Sequence, residues 1–134
     1  MVRVTLLGQT TARANRLEQE RLGLSAADMV LRITRVRYRE QQRLALETVV
    51  LPLKRFPLLA RNGESTPDVA ELARRPGLTL GRGRERASVV RAGRRVVAQL
   101  RVRKGARMQK LDRVIATADG TPIEWRISFL TPSQ

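Results

Sequence analysis

The feature that most constrains this chain is an approximate internal repeat. Leu22 lies thirteen residues before Arg35, and Leu100 lies thirteen residues before Arg113. Leu24 then matches Val102, Ile33 matches Leu111, Val36 matches Val114, and Leu46-Glu47 matches Ile123-Glu124. Each copy reads as a helix ending in leucine, a short loop, and a hairpin with arginine on its first strand and glutamate on its second. Arg35 to Glu47 is twelve positions and Arg113 to Glu124 is eleven, so one residue of slack belongs in the turn.

The remaining segments fit around this unit. Met1 to Leu7 alternates loosely and reads as a strand. Ala14 to Leu22 reads as a short helix stopped by Gly23. Met29 to Tyr38 is β-branched and alternating; Leu44 to Leu53 follows it and is broken near its end by Pro52. After the polar stretch ARNGESTP, Pro67 suits the first turn of a helix over DVAELARR, with Ser65 and Thr66 as capping candidates. Leu80 to Arg91 predicts a strand and Ala92 to Leu100 a helix; Gln109 to Thr117 and Pro122 to Leu130 predict the second hairpin. Strands and helices mix without a regular βαβ alternation. The expected class is α+β, with a mainly antiparallel sheet built from two hairpin-containing repeats.

Composition removes several function classes. The 134 residues suit one domain, and with 3% aromatics its core must rest on Leu, Val, Ile and Ala. No apolar run approaches the ~20 residues that span a bilayer. The N-terminus lacks a signal-peptide pattern, so no membrane partner and a cytoplasmic location are the default expectations. Cysteine and histidine are both absent. Disulfides, thiol chemistry, an imidazole base and His or Cys metal ligands are therefore excluded, and no cofactor is expected. The formal net charge of +15 favours an anionic partner. Ten Lys or Arg face one acid, Glu85, between Arg82 and Arg107. A solvated arginine-rich surface is the weightier reading of that run, because aromatic residues for base stacking are not interleaved.

The repeated charges carry the functional argument. Side chains alternate along a strand, so Leu31, Ile33, Arg35 and Arg37 share one face, as do Ala45, Glu47, Val49 and Leu51 on the partner. A charge in an apolar row needs a partner or a ligand. Two arginines at i and i+2 can grip a phosphate or carboxylate. On the last strand, Ile123, Trp125, Ile127 and Phe129 predict a core face, with Glu124, Arg126 and Ser128 opposite, either solvated or lining a cavity. Ile115 stands where Arg37 would in the second copy. The expected anion grip therefore sits in the first hairpin, with Glu124 and Arg126 supplied by the second. For either hairpin alone a structural Arg–Glu pair that fixes register is the weightier reading, and repetition does not decide between the two.

Segment LGLSAADMVLRITRVRYREQQRLALETVVLPLKRFPL resembles the UTRA domain, the effector-binding half of GntR-type transcription regulators of the HutC subfamily. VAELARRPGLTLGRGRERAS looks like that family's middle helix and following strand, and LRVRKGARMQKLDRVIATADGTPIEWRISF like its second repeat. The resemblance implies a chorismate-lyase-like fold over a single domain, residues 1–134, with the N-terminal winged helix-turn-helix domain absent from this chain. It implies a small anionic effector, a homodimer, and operator DNA bound only through that other domain. Carried over by position, Arg35 and Arg37 match the anion-gripping R-x-R, and Glu47 and Glu124 match polar contacts to effector. Ser65 or Thr66 falls near a serine that helps hold the anion. Val69 and Leu130 replace aromatic positions, which weighs against a sugar phosphate while leaving an anionic effector in place. Two other readings stay open: a chorismate-lyase-type enzyme on the same fold, and a basic nucleic-acid-binding module.

Overall fold

The computed structural model describes residues 2–56 and 83–132. The order is β1 (Val2–Arg13), α1 (Arg16–Leu22), β2 (Met29–Arg39), β3 (Gln42–Pro52), a 3-10 turn (Leu53–Arg55), β4 (Arg84–Arg91), α2 (Arg94–Leu100), β5 (Arg107–Ala116) and β6 (Pro122–Leu130). The six strands form one sheet in the order β1-β2-β3-β6-β5-β4, antiparallel at every step. The duplication is thus larger than the sequence repeat. Each half is strand, helix, hairpin; β3 and β6 meet at the centre, and β1 and β4 form the edges.

The two helices among the described residues pack on one face of the sheet. Leu22 and Leu100, the residues that define the repeat, are buried there. Leu22 joins Ala14, Val30, Val50 and Trp125. Leu100 joins Ala92, Val96, Val36, Leu46 and Met108. Burying each such side chain stabilises the fold by about 1.5–3 kcal/mol. The opposite face holds Leu31, Ile33, Val49 and Leu51, packed with Leu53, Phe56, Ile115 and Ile123. Arg35, Arg37 and Glu47 continue these same rows, so the apolar cluster runs directly into charge.

Local chemistry explains the helix ends. Asn15 caps α1 by accepting from the Glu18 backbone N–H, and Glu18 accepts in return from the Asn15 N–H. Gly23 closes the helix at φ 63°, as its sequence position predicts. In α2 the cap is Gly93, without a side-chain bond, and Arg101 takes the left-handed position at φ 55°.

Two expectations change, and one alternative closes. β1 runs to Arg13 rather than Leu7, with an irregularity between Leu6 and Gly8. As an edge strand it has one neighbour and is largely exposed, so its polar half Gln9–Thr11 is no obstacle to extension. Ile123 does not share a cluster with Trp125: a register shift at Ile115/Ala116 puts it with the apolar residues of the other face. Of the two readings left open for the residues opposite Trp125, solvation falls away: Glu124, Arg126 and Ser128 are buried. The expected helix over DVAELARR, its caps Ser65 and Thr66, and the first residues of the strand from Leu80 lie outside the described residues.

Candidate functional site

The site grows from the register of β2, β3 and β6. Arg35 pairs with Glu47 across β2 and β3, and Glu47 pairs with Ser128 across β3 and β6. Val49 stands opposite Arg126, so Arg126 lies one same-face step from Ser128 along the sheet centre. Alternation then puts Glu124, Arg126 and Ser128 on the Glu47 face. Five charged side chains, from three strands and both halves of the duplication, converge there.

Glu47 is the hub. Its Oε1 accepts from Arg35 Nε at 2.9 Å and from Arg37 Nε at 2.8 Å. Its Oε2 accepts from Ser128 Oγ at 3.0 Å and lies 3.9 Å from Arg126 Nη1. Burial pushes the Glu47 carboxyl up, but Arg126, Arg35 and Arg37 outweigh it and hold it below the usual carboxylate range. Both arginines meet Glu47 through Nε, so neither commits its Nη edge to that carboxylate.

The second pair is less well matched. Arg126 Nη2 lies 3.0 Å from Glu124 Oε2, yet the two are not aligned as a hydrogen bond. Glu124 is completely buried. That burial raises its carboxyl above the ordinary value, despite Arg126 and Arg35 nearby. Burial likewise weighs against the charge of Arg126, despite Glu124. Each member of the pair is shifted toward its neutral form, so the two ions do not repay each other's desolvation.

Five buried polar atoms make no hydrogen bond among the described residues: Arg35 Nη2, Arg126 Nε and Nη2, and both carboxylate oxygens of Glu124. Leaving such an atom unmatched costs about 1–3 kcal/mol, and native folds keep few of them. Here all five belong to one patch, with donors of two arginines beside an acceptor pair. The patch can receive an anion at the guanidinium groups and a hydrogen-bonding group at Glu124.

Arg35, Arg37, Glu47, Glu124 and Arg126, all expected from the sequence, are brought together; Ser65 and Thr66 lie outside the described residues. Ser128 was not singled out as a site residue, though its i+2 and i+4 spacing from Arg126 and Glu124 carried the signal. The sequence match of Glu47 with Glu124 does not hold in register. Arg113 faces Arg126, and Glu124 faces Ile115. Arg126, not Glu124, therefore holds the place opposite its hairpin arginine that Glu47 holds opposite Arg35. Arg113 instead pairs with Glu85 at 2.6 Å on an exposed part of the sheet. Among the described residues no group of three or more acidic side chains could hold a metal, and no helix is long and apolar enough to cross a membrane.

The UTRA domain family model matches residues 2–134; the chain belongs to this family. The effector domain of PhnF from Mycobacterium smegmatis superposes with a TM-score of 0.88 at 25% identity, over 97% of this chain and 80% of that one. The ligand-binding domain of a GntR-family transcriptional regulator from Bordetella bronchiseptica gives 0.86 at 20% identity, over 100% and 86%. A GntR-family regulator from Enterococcus faecalis gives 0.84 at 19%, over 96% and 92%. No curated protein sequence matches the chain. The α+β, chorismate-lyase-like architecture expected from the sequence is the fold observed.

Proposed function

We propose that this chain is the effector-sensing domain of a GntR-type transcription regulator of the HutC subfamily, and that its effector is a small anionic metabolite. The observation that carries this reading is the buried Arg35–Glu47–Arg126–Glu124 cluster, with its unmade hydrogen bonds on both guanidinium and carboxylate. Glu47 orients Arg35 and Arg37, and their Nη groups take the anion. Ser65 or Thr66 contributes a hydroxyl to the same anion. Operator DNA is read by a winged helix-turn-helix domain rather than by this one, in the cytoplasm. A thermal-shift screen against phosphorylated sugars, phosphonates, amino acids and urocanate-like acids tests the reading. A hit should disappear in Arg35→Ala; a hit that persists there and in Glu47→Ala removes the cluster as the site.

We read the domain as a sensor and not an enzyme. Incubation with chorismate should yield no 4-hydroxybenzoate above background, and turnover would reverse this reading. The homodimer expected for such regulators is supported by β1. That edge strand leaves Val4 and Leu6 about half exposed, at 47% and 51%, beside a backbone edge with no strand paired to it among the described residues. Placing a charge at Leu6 should shift the chain to monomer in sedimentation experiments; an unchanged dimer would assign the contact to another surface.

A further inference from the structure

The arginine-rich surface and the open depression near Arg43 and Arg101 offer no buried, unmatched group. The central cluster does, and one of its members has no role yet. Three guanidinium groups, Arg35, Arg37 and Arg126, face two carboxylates, Glu47 and Glu124, which leaves one positive charge. Glu47 is saturated: two arginine Nε groups and the Ser128 hydroxyl already donate to it. Its negative charge is used to hold Arg35 and Arg37. The surplus therefore falls on Arg126, which stands 3.9 Å from Glu47 and whose nearer counter-ion, Glu124, is misaligned.

Arg126 is also the residue most committed to this place. It is 9% exposed, on a central strand, with Nε and Nη2 both buried and without hydrogen bonds. A register-fixing arginine would have its fork filled, as Arg32 does with two 2.8 Å bonds to Glu18. Arg126 keeps its fork open beside the open Nη2 of Arg35.

We propose that Arg126 is a specificity-determining residue, selecting a doubly charged anionic group over a singly charged group of the same shape, with the anion held between Arg35 Nη2 and Arg126 Nε. This rests on the cluster being the effector site. One positive charge balances the first negative charge of the ligand. Glu124 accommodates the second by taking up a proton, which the burial of its carboxyl already favours. Protonated Glu124 then donates to the ligand and no longer competes for Arg126.

Isothermal titration of the full chain with ethyl phosphate and ethyl sulfate tests this at about pH 8, where the phosphate is doubly charged and the sulfate singly. Phenyl phosphate against phenyl sulfate asks the same with a larger substituent. The native chain should prefer the doubly charged member of at least one pair by about tenfold or more. In Arg126→Met combined with Glu124→Gln, which leaves no buried ion unpaired at this pair, the preference should fall to about twofold while the singly charged ligand still binds. Equal affinities in the native chain, or a preference kept by the double variant, overturn the proposal and leave the anion site standing. If no member of either pair binds the native chain, the cluster is not an anion site and both readings fail. Should the double variant not fold, Arg126→Gln keeps a donor and loses the charge; an unchanged preference there also overturns the proposal.

Discussion

The two halves of the sheet share a plan and differ in how they spend charge. In the first half, Arg35 and Glu47 pair directly across a hairpin, and Arg37 joins the same carboxylate oxygen. In the second, Arg113 turns outward to Glu85, while Glu124 and Arg126 lie on one strand and meet imperfectly. The first half is an ion-pair network with one buried donor open, Arg35 Nη2; the second leaves four atoms open, on Arg126 and Glu124. A duplicated frame thus carries one half whose ions are mostly matched and one whose ions are mostly not. The helices show the same inequality: α1 has a capping box and a terminal glycine, whereas α2 has neither.

The largest expected break in this comparison is at Glu47. Replacing it with alanine leaves Arg35 and Arg126 buried without their shared counter-charge and should cost about 3–5 kcal/mol in urea unfolding. The outward pair is the control: Arg113→Ala should change stability by about 0–1 kcal/mol. Equal effects would mean the two halves carry their ion pairs alike. Leu22→Ala and Leu100→Ala test the shared frame. Both are buried at helix ends, so each should cost about 2–5 kcal/mol, to a similar extent. A negligible effect at one of them would confine the load to the other helix.

The two carboxylates should also respond oppositely to pH. Glu47 is held below its ordinary value of 4.5, so its stabilisation is present above that value and lost as acid brings the pH through its folded value. Glu124 is held above 4.5, so its contribution is present below that value and lost as pH rises through its folded value. Glu124→Gln should therefore flatten the fall in stability above about pH 4.5, read by thermal melts across pH. An unchanged profile would contradict the burial assigned to Glu124. The smallest effects concern the caps. Gly23→Ala should cost about 1 kcal/mol, and Arg101→Gly should gain about as much, because each C-cap sits at positive φ. Opposite signs sharpen the contrast between α1 and α2; equal signs would remove it.

Much of this was legible from residue order alone. Alternation put Arg35, Arg37 and Glu47 in apolar rows, and Gly23 marked the end of α1. What escaped was the packing of β6. Its Ile123, Trp125, Ile127 and Phe129 read as a core face, which left the Glu124 and Arg126 face open between solvent and a cavity. A strand at the centre of a sheet can be covered on both sides, and single-strand alternation cannot report that. The pairing of Glu47 with Glu124 failed for a related reason. Matching residues by type ignores register, and the shift at Ile115/Ala116 sets Glu124 opposite Ile115 and Arg126 opposite Arg113. The length of β1 was missed because an edge strand does not need the apolar pattern that betrays a buried one.

We propose that the unmatched polar atoms of the β2–β3–β6 face bind an anion. A crystal structure of the chain with an anionic hit from the thermal-shift screen tests it directly. The anion should lie within hydrogen-bond distance of Arg35 Nη2 and Arg126 Nε, with Glu47 still holding Arg35 and Arg37. An anion seated on the exposed arginines between Arg84 and Arg107, with those two nitrogens still unmatched, would contradict it.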